Sequence, residues 1–222
     1  MKQILIKVFL IFSLAVIVTG ALLFLPAGSF DYWQGWVFMA VLFTPVLFVV
    51  SYLVRHDPAL MERRLKFKEK LKSERKILTI GNFFFFIGFL IPGLDFRFGW
   101  SQVPVWLVIV SDVVIFIGYM LVFWVFRVNS YTSRIVEVMK GQKVISTGPY
   151  AYVRHPMYSG ALLMFLFIST ALGSYYAMIV MIPIIAILIY RIFDEEKLLL
   201  KDLKGYKEYY EKVKYRLIPG VW

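Results

Sequence analysis

The chain predicts an all-α, polytopic membrane bundle of about six transmembrane helices, and three observations carry that prediction. Of its 222 residues, 60% are hydrophobic and 18% charged, where a soluble domain averages about half and about a quarter. The mean hydropathy is +0.74, and apolar runs of roughly 18–22 residues recur, the length that crosses about 30 Å of hydrocarbon. If all six runs cross, the start of the chain, the segments 55–76 and 127–156, and the tail share one side. They hold 24 of the 25 Lys and Arg, Arg97 being the exception. Cytoplasmic loops collect Lys and Arg, so both termini are predicted to be cytoplasmic.

The first run, Ile4 to Leu25, follows Lys2 and contains Lys7. It is longer than the 7–15 apolar residues of a signal peptide, so a retained helix is expected over cleavage near Ala27. The second run, Gly35 to Val54, contains Pro45, which a bilayer helix tolerates as a kink. Arg55 to Lys76 then carries nine Lys or Arg. Leu60, Leu65, Phe67 and Leu71 keep apolar spacing there, and the stretch fits a helix lying on the headgroups as well as a solvated loop. The third run, Ile77 to Leu94, is rich in phenylalanine and is expected to stop at Pro92-Gly93. Asp95, Arg97 and Trp100 lie in the short link to the fourth, Val105 to Phe126. After a long polar connection come Met157 to Leu172 and Tyr175 to Phe193, joined by Gly173-Ser174 as a tight helical hairpin. The tail from Asp194 is charged and helix-prone to about Lys214, then stops at Pro219-Gly220. Residues 1–126 thus form a helical anchor, and 127–222 a second region with the hairpin and tail.

Several functions are excluded. There is no cysteine, which removes thiolate metal sites and thiol nucleophiles, and two histidines, His56 and His155, do not make a histidine-rich metal site. No metal is expected. The formal charge of +11 follows from topology and contact with anionic lipid, so no nucleic-acid partner is expected.

Two polar pieces remain. The first is GQKVISTGPYAYVRHPMYSG, from Gly141 to Gly160. Gly148-Pro149 marks a turn, and Pro156 suits the first turn of a helix, where a missing N–H costs nothing. The free N–H groups of Met157 and Tyr158 beside Arg154 and His155 describe an anion site. They equally describe a positive-inside arginine, a histidine cap and an interfacial aromatic belt. The second piece is RIFDEE, Arg191 to Glu196. Arg191 and Glu195, four apart, share a helix face, either as an intrahelical ion pair with Asp194 and Glu196 solvated, or as one wall of a binding site. The hairpin makes the two pieces neighbours, so a pocket between them, the 141–150 loop and the tail is expected.

GPYAYVRHPMYSG, a hairpin, R-x-x-x-E-E and then GYKEYYEKVKYRLIPGVW together resemble the isoprenylcysteine carboxyl methyltransferase family. These are integral membrane enzymes of the wider group that includes phospholipid methyltransferases, and the resemblance covers roughly residues 127–222. It implies S-adenosylmethionine as co-substrate. Carried over by position, Gln142, Lys143, Val144 and Ile145 would contact the donor through backbone groups, with Tyr150 packing near it. His155, Pro156, Met157 and Tyr158 would line the helix-start side. Glu195 would bind the donor, Arg191 would face the acceptor carboxylate, and Glu137 sits near a further donor contact. The tail departs from the family's commoner Phe-Gly-x-x-Tyr form, having Lys204-Gly205-Tyr206.

The residue chemistry agrees with a lipophilic carboxylate as acceptor, a prenylated cysteine or similar acid. A carboxylate with a pKa of about 3.5 is already ionised at neutral pH, so no general base is needed, and placement with water exclusion is the main task. Arg191 can hold a carboxylate by two hydrogen bonds, and tyrosine faces favour a cationic sulfonium. The alternative is an amine acceptor, as in phospholipid or small-amine N-methylation, which would need a base such as Glu196. A nicotinamide-dependent membrane reductase ranks below both, for want of a residue set for a 2′-phosphate, and a non-catalytic membrane scaffold is the remaining class.

Overall fold

The computed structural model describes residues 2–65, 72–133 and 137–222; the expected apolar positions Phe67 and Leu71 lie outside the described residues. All regular structure among them is helical: α1 (Lys2–Ala27), α2 (Trp33–His56), α3 (Pro58–Arg64), α4 (Lys72–Phe98), α5 (Val105–Val128), a 3₁₀ turn Gly148–Ala151, α6 (Pro156–Ala171), α7 (Tyr176–Asp202) and α8 (Tyr206–Lys212). The chain is a polytopic helical bundle. Within α1, α2, α4, α5 and α7 lie apolar spans long enough to cross a bilayer, whereas α6 is shorter. Its 16 residues rise about 24 Å.

The six long helices pack in the order α1, α2, α5, α6, α7, α4 and back to α1. At one end all six contribute to a single core: Leu23, Phe24 and Ala27 of α1, Phe38 of α2, Phe89 of α4, Ile115 of α5, Ile168 and Ala171 of α6, and Met181 and Ile184 of α7. At the opposite end, near the tail, the apolar contacts divide. One cluster joins α2, α3 and α5 through Val49, Leu53, Leu60, Met61, Val125 and Phe126. Another joins α7 to the tail through Leu188, Ile192 and Leu217. A gap between clusters is where a polar site can sit.

Several expected boundaries shift. The third run does not stop at Pro92-Gly93: α4 continues to Phe98. Gly93 is there for closeness, because a Cβ would stand 2.5 Å from the Leu23 carbonyl oxygen of α1. The sixth run does not end at Phe193 but extends to Asp202, so the acidic triplet is helical. The tail helix is interrupted, with Gly205 at φ +84° starting α8. In the basic 55–76 stretch, α3 is neither a solvated loop nor free on the headgroups. The Asp57 carboxylate caps it by accepting from Leu60 N at 2.8 Å, and Leu60 and Met61 bury against the bundle.

The α5–α6 seam places the site. A Cβ on Gly118 would lie 2.8 Å from Gly160 O, and one on Gly160 2.7 Å from Gly118 O. Small residues at such crossings let membrane helices approach backbone to backbone. The first turns of α6 are thereby fixed against the middle of α5.

Candidate active site

α6 begins at Pro156, whose missing N–H suits the first turn, and His155 stands at the cap position without a side-chain capping bond. The tail crosses this start: Arg154 N donates to Tyr215 O and His155 N to Arg216 O, both at 2.9 Å, and Ser159 Oγ donates to Leu217 O at 2.7 Å. Across from it, the last turns of α7 bring Arg191 and Glu195 to the same level. The Tyr158 phenol lies within electrostatic reach of both Glu195 and Arg191, which brings the two helices of the hairpin together at one point.

Between these pieces lies a cleft of ≈ 860 Å³ including its open mouth. The residues carried over from the family resemblance all line it: Glu137, Gln142, Lys143, Val144, Ile145, Tyr150, His155, Pro156, Met157, Tyr158, Arg191 and Glu195. The 3₁₀ turn sets Tyr150, whose hydroxyl accepts from Asn129 Nδ2 at 2.8 Å and whose carbonyl accepts from the Tyr209 hydroxyl at 2.8 Å. Burial pushes the Tyr150 phenol above its ordinary range, partly offset by the Asn129 bond, and burial raises Tyr209 as well. Both stay protonated and serve as neutral hydrogen-bonding groups. In the 141–145 stretch, Met139 and Gln142 close a turn, with Gln142 N donating to Met139 O at 3.0 Å and Met139 N to Gln142 Oε1 at 2.9 Å.

The anion site expected around Arg154 is not formed. Arg154 Nε donates to Glu196 Oε1 at 2.7 Å, and its Nη1 donates to Val213 O and Lys214 O. Its guanidinium lies 4.2 Å from the Tyr210 ring centre. Arg154 therefore ties α6 to α7 and the tail. Glu196, expected to be solvated, is 4% exposed. It also receives His155 Nε2 at 3.2 Å and Arg216 Nε at 2.9 Å. With both oxygens so engaged, Glu196 cannot act as the base that the amine alternative assigned to it. Successive helical residues point about 100° apart, which is why Glu195 faces the cleft and Glu196 the clasp.

Sequence reasoning missed the clasp, and it missed Asn129, Leu199, Leu203, Tyr206 and Tyr209, which also line the cleft. The three-residue spacing of Tyr206 and Tyr209 on a helix face was the available signal. It missed the role of α3 too. Arg63 Nη2 donates to Ser130 O, and Arg64 Nη1 donates to Ser133 O at 3.2 Å while lying 3.9 Å from Met157 Sδ. The basic segment is thus anchored to the rim of the cleft.

With this geometry in place, residues 106–204 match the family model described as phospholipid methyltransferase. No curated protein matches the chain. The family match bears out the resemblance to the integral membrane methyltransferase group and covers α5, the whole hairpin and the acidic end of α7.

Proposed function

We propose that this chain, which matches the phospholipid methyltransferase family model over residues 106–204, is an S-adenosylmethionine-dependent enzyme that methylates the carboxylate of a lipophilic acceptor, a prenylated cysteine or similar acid. The observation that carries this reading is the grouping of Tyr158, Arg191 and Glu195 at the wall of the cleft. It sets a cation for an acceptor carboxylate beside an anion for a cationic donor.

The lining fits the donor. Its lining includes Glu137, Glu195 and Tyr158, suited to the ammonium and sulfonium charges, and a cluster of Val144, Leu199, Leu203 and tyrosine rings, suited to a purine. The bound donor supplies a methyl group already activated by its positive sulfur. An acceptor carboxylate oxygen forms the new O–CH₃ bond as the C–S bond breaks, its electron pair returns to sulfur, and no proton moves. Arg191 holds the acceptor carboxylate, Tyr158 keeps Arg191 and Glu195 in register, and Glu195 holds the donor. The loop 142–145 and the tail keep water out. Positioning of this kind supplies several kcal/mol of barrier reduction, up to about 7–11 in well-oriented cases. Both termini and the cleft face the cytoplasm in this reading, in accord with the one-sided basic residues.

The family match favours a second reading, methylation of an amine on a phospholipid headgroup. An ammonium must lose its proton before attack. Glu196 being engaged, Glu195 would have to receive it. Transfer of labelled methyl by the purified protein in vesicles, offered a farnesylcysteine analogue or phosphatidylethanolamine, separates the two. Carboxyl methylation is expected, with a rate flat between pH 6.5 and 9. Transfer to the phospholipid alone, rising steeply toward pH 9, would replace the first reading by the second. Failure to bind S-adenosylmethionine would leave only a scaffold.

A further inference from the structure

Five tyrosines line the cleft: Tyr131, Tyr150, Tyr158, Tyr206 and Tyr209. Four have protein partners for their hydroxyls. Tyr131 donates to Gly141 O at 3.5 Å, Tyr150 accepts from Asn129, Tyr158 has Glu195 and Arg191 beside it, and Tyr209 donates to Tyr150 O. Tyr206 differs. It is 4% exposed, and among the described residues its hydroxyl has no hydrogen-bond partner. A buried hydroxyl left unsatisfied costs about 1–3 kcal/mol, and each such group in a folded protein calls for an explanation.

The surroundings indicate what the hydroxyl meets. Tyr206 opens α8 directly after Gly205, whose φ of +84° turns the chain from α7. It packs in a cluster with Leu203, Tyr209, Val144, Tyr150 and Leu199, its ring centre 5.7 Å from that of Tyr209. The ring thus packs in an apolar, aromatic cluster, while the hydroxyl also feels the carboxylates of Glu196 and Glu195. The ionic trio Tyr158, Arg191 and Glu195 forms a chemically different group. A purine, apolar on its faces and polar at its edge, matches the cluster; a sulfonium and an acceptor anion match the trio.

We propose that Tyr206 is the purine-reading residue of the donor cleft, its hydroxyl hydrogen-bonding the polar edge of adenine while the neighbouring side chains pack on the ring. The inference rests on the donor reading above and deepens it by setting the direction in which the nucleoside lies. Adenine sits against α8 and the 144–150 segment, with the reacting sulfur toward Tyr158.

The test is calorimetric titration of the purified protein with S-adenosylhomocysteine, with competition by 5′-methylthioadenosine, which keeps the nucleoside and lacks the amino acid. Tyr206→Phe keeps the ring and removes only the hydroxyl. It is expected to weaken both ligands about tenfold, the scale of one lost hydrogen bond, with no fall in Tm, since no protein group loses a partner. Unchanged affinity for S-adenosylhomocysteine overturns the proposal, as does a fall in Tm with affinity intact, which marks a structural hydroxyl. Weakening of S-adenosylhomocysteine but not of methylthioadenosine assigns the hydroxyl to the amino-acid end and overturns the orientation, and failure of methylthioadenosine to compete on the unaltered protein does the same. If the unaltered protein does not bind S-adenosylhomocysteine at all, it is the donor reading that fails, and Tyr206 with it.

Discussion

The two ends of the bundle are built on opposite plans. At the end away from the tail, six helices share one apolar core, and the polar groups there serve closure. Asp95, 1% exposed, accepts from Ser101 N at 2.6 Å, Ser101 Oγ at 2.7 Å and Ser174 Oγ at 2.5 Å, while Tyr32 donates to Leu172 O at 2.5 Å. One carboxylate thereby ties the α4–α5 link to the α6–α7 turn. At the tail end the core is divided, and charged side chains hold the parts together around a cleft. At the working end, ion pairs replace apolar packing because apolar filling would close the site.

If the ends are separable in this way, substitutions should sort cleanly between activity and stability. The largest effect on activity is expected from Arg191→Ala or Glu195→Ala: a fall of at least about 100-fold in kcat/KM, equal to about 2.7 kcal/mol of transition-state stabilisation, with Tm held. Full activity in both would remove the assigned roles. Next is Glu196→Ala, which leaves Arg154 and Arg216 without their shared carboxylate; losing one partner of a buried charge pair costs about 3–5 kcal/mol. Limited proteolysis should then cut the tail, with S-adenosylhomocysteine binding lost alongside. An intact tail would show that backbone bonds alone retain it. Asp95→Ala removes the acceptor for three donors and should cost about 2–4 kcal/mol, read as a lower Tm with donor affinity unchanged. A changed affinity would mean that the two ends are coupled. The smallest effect is Gly118→Ala, an overpacked seam costing about 1–3 kcal/mol, with loss of Tm exceeding loss of activity.

Most of the fold was legible in the chain because apolar runs of bilayer length are a strong signal. The site was legible in part, through the turn chemistry of Gly148-Pro149 and Pro156 and the four-residue spacing of Arg191 and Glu195. What the sequence concealed is direction. Nothing in RIFDEE distinguishes the acid that faces the cleft from its neighbour in the clasp, because that depends on where Arg154, His155 and Arg216 arrive from 20–42 residues away. Gly93 read as a helix stop because glycine weakens helices in isolation. Only the carbonyl of α1 pressed against it gives its reason. Nor could composition show that Leu60 and Met61 dock a basic segment onto the protein rather than onto lipid.

The contact of Gly118 with Gly160 reaches beyond stability. These residues meet one turn inside the start of α6, with each carbonyl against the other's α-carbon region. No alkyl chain can slip between two backbones at that separation. A greasy substrate arriving from the bilayer is therefore denied that doorway and must thread a different groove, so cross-linking a lipid-borne photoprobe to the neighbouring helices would trace its route.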